Sequence, residues 1–114
     1  MSTMPASAEG PRGPAATAPT VFAVVYRAGP AWRRGEPTER QDLRDHFLYL
    51  RELHRQGTVV IAGPLGDAGG LVLLRVGDLD AARRIATDDP AVRSRVFVAE
   101  VEPFTPRIGR LRGE

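Results

Sequence analysis

The stretch Asp45 to Leu65, DHFLYLRELHRQGTVVIAGPL, limits the fold of this chain more than any other. Its apolar residues begin at three- and four-residue spacing, the signature of one helical face. After Gly57 they become a short β-branched run. A helix must therefore hand the chain to a strand with only a glycine stop between them, Gly57 being suited to the left-handed conformation of a C′ residue. Leu43, His46, Phe47, Leu50 and Leu53 form the helical stripe. A histidine thus falls on the face that the helix buries.

Residues 1 to 20 are Ala, Pro, Gly, Ser and Thr with almost no large apolar side chain, which predicts a disordered N-terminal tail. Val21 to Arg27 (VFAVVYR) reads as a first buried strand. A loop with Gly29-Pro30 and Gly35 to Pro37 as punctuation carries Trp32, the sole tryptophan. Thr38 and Gln41 match a capping box at the start of the helix, with Asp42 as a second possible cap. Thr58 to Ala62 is the second strand, which Gly63-Pro64 should break. Gly66 to Gly70 reads as a hairpin loop, and Leu71 to Val76 as the third strand. Asp78 caps a second helix, LDAARRIAT, and Asp89-Pro90 ends it because proline disfavours helical geometry in the residue before it. Val96 to Glu102 is the fourth strand. Residues 105 to 114 form an Arg-rich C-terminal tail.

The order βαββαβ, with right-handed crossovers, gives an α+β domain over residues 21–104. It has a four-stranded antiparallel sheet in the order 4-1-3-2 and two helices on one face. Strand residues are apolar on both sides, so the face without helices should pack on a second copy, and a homodimer is expected.

Composition removes several function classes. No apolar run reaches the roughly 18 to 20 residues of a membrane helix. Cysteine is absent, which excludes thiol nucleophiles and thiolate metal sites and fits a reducing, cytoplasmic setting. All 16 basic residues are arginine, so a lysine Schiff base is excluded. The net charge is only +2 and the arginines alternate with acids, which disfavours a nucleic-acid partner. His46 and His54 are two helical turns apart, the wrong spacing for a shared metal, so no metal site is expected. The three serines lie outside any nucleophile elbow.

Topology brings the Trp32 loop, the His46 end of the first helix, Gly63-Pro64 and Asp89-Pro90 to one end of the domain. A carboxylate bonded to one imidazole nitrogen would fix the tautomer and leave the other nitrogen free to exchange a proton. Each residue also has a plainer reading. His46 fits a core histidine bonded to a backbone carbonyl, Asp89 a helix-ending Asp-Pro element, and Trp32 a core plug. His54 fits a surface cation near a helix C-terminus.

The run from His46 through FLYLRELHRQGTVVIAGPL, the following hairpin, LDAARRIATDDPAV and the closing EVEPF resembles the YCII-related (YciI-like) domain family over about residues 21 to 104. The resemblance implies a ferredoxin-like fold of the dimeric α+β barrel type. It also implies a cleft holding a histidine and an aspartate, here His46 and Asp89, and lyase- or isomerase-like work on small cyclic or carbonyl-containing molecules. Trp32, Gly63 and Pro64 would shape the cleft around that small-molecule ligand, and no cofactor is expected. Where family members often have an aromatic residue after Asp-Pro, this chain has Ala91. The alternative is a dimeric ligand-binding module without turnover.

Overall fold

The computed structural model describes residues 21–111. The chain forms β1 (Val21–Ala28), α1 (Arg44–Arg55), β2 (Val59–Pro64), β3 (Gly69–Leu74), α2 (Leu79–Asp88), the one-turn α3 (Pro90–Arg93) and β4 (Phe97–Phe104). The four strands are antiparallel neighbours in the order β2-β3-β1-β4, the arrangement expected from the sequence.

Alternation along β1 divides the sheet into two faces. Phe22, Val24 and Tyr26 stand opposite Leu74, Val72 and Gly70 on β3 and opposite Pro103, Val101 and Ala99 on β4. Phe22, Val24, Tyr26, Val72 and Leu74 form the core with Leu43 and Leu50 from the α1 region and Ala82 and Ala86 from α2, and Ala99 and Val101 pack against it. Both alanines of α2 are buried, and their small size lets α2 lie close to the sheet. Ala23 and Val25 look the other way, beside Leu73 and Leu71. No described helix covers that face. Ile61 and Val98 are exposed on it, next to Glu100 and Glu102.

The sheet is open, which corrects the expected dimeric α+β barrel. Among the described residues β2 and β4 are edges with no strand partner beyond β3 and β1. Pro64 and Pro103 lie on those edges, where a residue without an N–H can be accommodated.

Three local expectations change. The Thr38–Gln41 capping box does not form. Instead Thr38 to Arg40 make a single 3-10 turn, and α1 begins at Arg44. The Gln41 amide explains this, because it is spent on the preceding loop. Its Nε2 donates to the carbonyls of Arg33 and Glu36 at 2.9 and 3.0 Å, and its Oε1 accepts from the Arg33 N–H at 2.8 Å. Gly63-Pro64 ends β2 as its last two residues rather than interrupting it. Finally, Asp89 is a hinge between two helices. It closes α2 and, with Pro90 at the first position, caps α3. The Asp78 cap stands as expected, accepting from the Ala81 N–H at 2.8 Å. The predicted tail of residues 1–20 lies outside the described residues, as do the last three. From Thr105 to Leu111 the chain forms neither helix nor strand.

Gly69 and Gly70, at the start of β3, make a discriminating pair. A Cβ at Gly69 would lie 2.5 Å from the Tyr26 carbonyl oxygen, whereas at Gly70 its nearest neighbours are at an ordinary 3.5 Å. Gly69→Ala should therefore lower stability by about 2 kcal/mol and Gly70→Ala by less than about 1. Urea unfolding of the two variants measures the difference.

Candidate active site

The helix α1 carries His46 in its first turn, and the α2–α3 hinge carries Asp89. Their side chains meet beneath the sheet: His46 Nδ1 lies 2.9 Å from Asp89 Oδ1 and 2.8 Å from Oδ2. Because a carboxylate only accepts, Nδ1 must be the donor, and a neutral His46 holds its proton there. Two further donors complete the carboxylate. The Ala91 N–H donates to Oδ1 at 2.9 Å, and the Tyr26 hydroxyl donates to Oδ2 at 2.9 Å. Asp89 is fully buried and His46 is 6% exposed. A buried carboxylate is tolerated when its lone pairs are occupied in this way.

Aromatic rings fix the imidazole plane. The Tyr26 ring meets it edge-on at 5.2 Å and Phe97 does so at 5.4 Å, while Phe47 lies 5.6 Å away, tilted. Nε2, across the ring from the carboxylate, has no hydrogen-bond partner among the described residues. The imidazole lines a cleft of about 460 Å³ between α1 and the β2–β3 edge of the sheet.

The walls of this cleft are largely apolar, from Leu43, Phe47, Leu50, Val59 and Val72, with Gly63, Pro64, Gly69 and Gly70 along the sheet. Gly63 and Pro64, at the end of β2, are among these lining residues. Trp32 does not line the cleft. It stacks on Phe97 at 5.7 Å, and Phe97 supplies the aromatic wall. Backbone bonds seat the Trp32 loop: Gly29 N–H donates to the Val96 carbonyl at 2.8 Å and Ala31 N–H to that of Arg95 at 2.9 Å. Gly29 is needed for this approach, since a Cβ there would lie 2.4 Å from the Arg95 oxygen.

Sequence reasoning missed three residues of the site. Tyr26 alternates with Phe22 and Val24 and so read as a core aromatic, although its hydroxyl is the third partner of Asp89. Arg51 and His54 line the cleft as well. The signal available was the flank of the apolar stripe, since positions 43, 47, 50, 51 and 54 share one side of α1. Among the described residues no three His, Asp or Glu side chains converge as a metal-holding group, and no helix is long and apolar enough to cross a membrane.

The family model of the YCII-related domain matches residues 20–105. Among solved structures, the fold is similar to that of 5-chloro-2-hydroxyhydroquinone dehydrochlorinase from Burkholderia phenoliruptrix AC1100, solved in complex with 2,5-dihydroxybenzoquinone. The TM-score is 0.56 at 20% identity, with 74% of this chain and 93% of that one covered. No curated protein matches this chain.

The site makes stability depend on alkaline pH. Burial, and then the Asp89 carboxylate beside it, push the Tyr26 phenol far above its ordinary value. Tyr49, whose hydroxyl donates to the Ile85 carbonyl at 2.7 Å, is pushed up to about 12, first by burial. In the unfolded chain both ionise near the ordinary value of about 10. Their contribution is therefore complete below pH about 10 and is lost as pH rises through the folded values. Chemical unfolding measured from pH 8 to 11 should show a stability decline above 10. That decline should be about halved in Tyr26→Phe, which leaves Tyr49 as the one tyrosine whose ionisation folding resists.

Proposed function

The chain belongs to the YCII-related domain family, and from its site we propose a cofactor-independent enzyme that transfers protons on a small cyclic or carbonyl-containing molecule, in lyase- or isomerase-like chemistry. The observation that carries this reading is the asymmetry of His46. One ring nitrogen is locked to a fully buried carboxylate, and the ring lines an apolar cleft. A histidine kept only for packing has no need of a cleft beside it.

In this reading Nε2 takes a proton from a carbon next to the substrate carbonyl, and the C–H electron pair moves into the new carbon–carbon double bond of an enolate. Asp89 stabilises the imidazolium that forms and keeps the ring in place, and it does not take the proton itself. The imidazolium then returns the proton to a different carbon, which is an isomerisation. Alternatively a leaving group departs from the adjacent carbon with its bonding pair, which is an elimination. The similar solved structure supports the substrate class: its name states removal of chloride from a ring, and its bound molecule is a cyclic dione. Apolar walls exclude water and strengthen the electrostatic hold of Asp89 on the imidazolium.

Gly63 and Pro64 contribute a wall without bulky side chains, and Trp32 is a positioning residue that holds Phe97 against the imidazole. The exposed apolar sheet face with Ile61 and Val98 supports a homodimer in which a second copy covers it. The cysteine-free sequence is compatible with the cytoplasm.

Deuterium uptake at the α-carbons of cyclohexanone and 2-cyclohexenone, followed by proton NMR, tests the proposal. The wild type should accelerate exchange, and His46→Gln should lower the enzymic rate by at least about 100-fold. Asp89→Asn should also lower the rate, with the His46 nitrogen signals showing loss of the Nδ1–H tautomer. Binding of these ketones without accelerated exchange, or exchange indifferent to His46→Gln, would replace the enzyme with the ligand-binding module.

A further inference from the structure

The cleft has a second polar end that the chemistry of His46 leaves unused. It runs along α1 from His46 to Arg51 and His54. At about 1.5 Å of rise per residue, the spacings of five and eight residues set those backbone positions about 7.5 and 12 Å along the axis from His46. Between the two ends the lining is apolar, from Phe47, Leu50, Val59 and Ala62.

The charge balance at that end favours an anion. No Asp or Glu lines the cleft. Glu52, the carboxylate nearest in sequence, is occupied by Arg55 at 2.5 Å and by the Gln56 amide at 2.9 Å. Among the described residues, neither Arg51 nor His54 has a side-chain hydrogen bond or an ion pair. The carbonyl end of α1 opposes an anion with about half an elementary charge, which the full charge of Arg51 outweighs.

We infer that Arg51, with His54 one turn further on, holds the carboxylate of a substrate whose small apolar ring reaches back to His46. The inference rests on the reading of this cleft as a substrate site. A carboxylate fits better than a phosphate. Two parallel N–H groups of one guanidinium match its two oxygens, and a single adjacent imidazole completes the set. A phosphate dianion calls for more donors than one arginine and one histidine provide. The distance between the two ends then sets the ligand: one ring and a chain of two or three atoms span it. This assigns the cleft two jobs along one helix, proton transfer at the first turn and anion holding in the last.

The test uses 3-phenylpropanoate and its neutral isostere 3-phenylpropanamide as probes, with the full chain at low ionic strength. In the wild type the carboxylate should bind about five- to tenfold more tightly than the amide, and it should shift the imidazole signals of both His46 and His54. Arg51→Gln should bring the two affinities to within about twofold, Arg51→Lys should keep part of the preference, and the circular dichroism of each variant reports folding. Equal binding of the two probes to wild type, a preference that survives Arg51→Gln and His54→Gln together, unperturbed histidines, or no binding of either probe would each overturn the inference. Turnover is not read in this experiment. Loss of the anion preference leaves proton transfer by His46 standing, and α-carbon exchange that is absent or indifferent to His46→Gln leaves the anion site standing.

Discussion

The carboxylate of Asp89 is the constraint around which this small domain is arranged. A fully buried carboxylate costs several kcal/mol in desolvation unless its oxygens are occupied. Here the donors come from three different parts of the chain: a strand (Tyr26), a long helix (His46), and the first turn of a short helix (Ala91). Satisfying the carboxylate therefore requires β1, α1 and the α2–α3 hinge to be in register with one another. Asp89 also caps α3: its Oδ1 meets both the imidazole and the Ala91 N–H, while its backbone N–H closes α2 on the Ala86 carbonyl. With three donors fixing the carboxylate and three aromatic rings around the imidazole, the pair has little rotational freedom. Such restriction is what a proton-transfer site needs and what a solvent-exposed His–Asp contact lacks.

The parts of this arrangement that were legible in the sequence are those with local signatures. The switch at Gly57 from helical spacing to a β-branched run gives α1 and β2, and Asp78 and Asp89-Pro90 bracket α2. Short connections with right-handed crossovers then leave few sheet orders, and β2-β3-β1-β4 is the one found. The parts that were hidden depend on contacts across the fold. The Tyr26 hydroxyl and the Asp89 carboxylate are 63 residues apart. An inward tyrosine between valines and alanines has the same pattern whether its hydroxyl finds a carboxylate or a backbone carbonyl. Gln41 shows the converse problem. Its spacing from Thr38 is that of a capping box, yet three backbone groups of the preceding loop took its amide instead. Barrel closure was a family-level expectation, and no residue pattern in the four strands encodes it.

The cleft exists because the sheet lacks side chains where α1 passes over its edge. Gly70 stands opposite Tyr26 on one side and Pro64 on the other, on the face that elsewhere carries Val72 and Leu74. Leaving a glycine in that row forfeits burial that would otherwise stabilise the domain, at about 25 cal/mol per Å² of apolar surface. Phe47 registers the loss directly, since it sits on the cleft-facing side of an amphipathic helix and is still 54% exposed. A chain under selection for stability alone would fill this space, and nothing in the backbone at Gly70 forbids a larger residue. The space is thus a feature the sequence maintains at a cost in stability.

An apolar cleft also determines how the His46–Asp89 pair can act. In water, an imidazolium and a carboxylate in contact gain about 1 kcal/mol from their attraction. At the effective dielectric of a site closed by Phe47, Leu50 and Phe97 they gain about four times as much. The stabilisation is greatest when the histidine has just taken a proton from a substrate that itself displaces water from those walls. Binding and catalysis are therefore linked through the same side chains: the residues that hold an apolar ring also keep water from the His46–Asp89 pair once the ring is in place. A cleft lined with polar groups would bind many molecules but would screen the carboxylate from the imidazole. The apolar lining, with its few polar groups confined to the two ends of α1, separates the task of recognising a substrate from that of moving its proton.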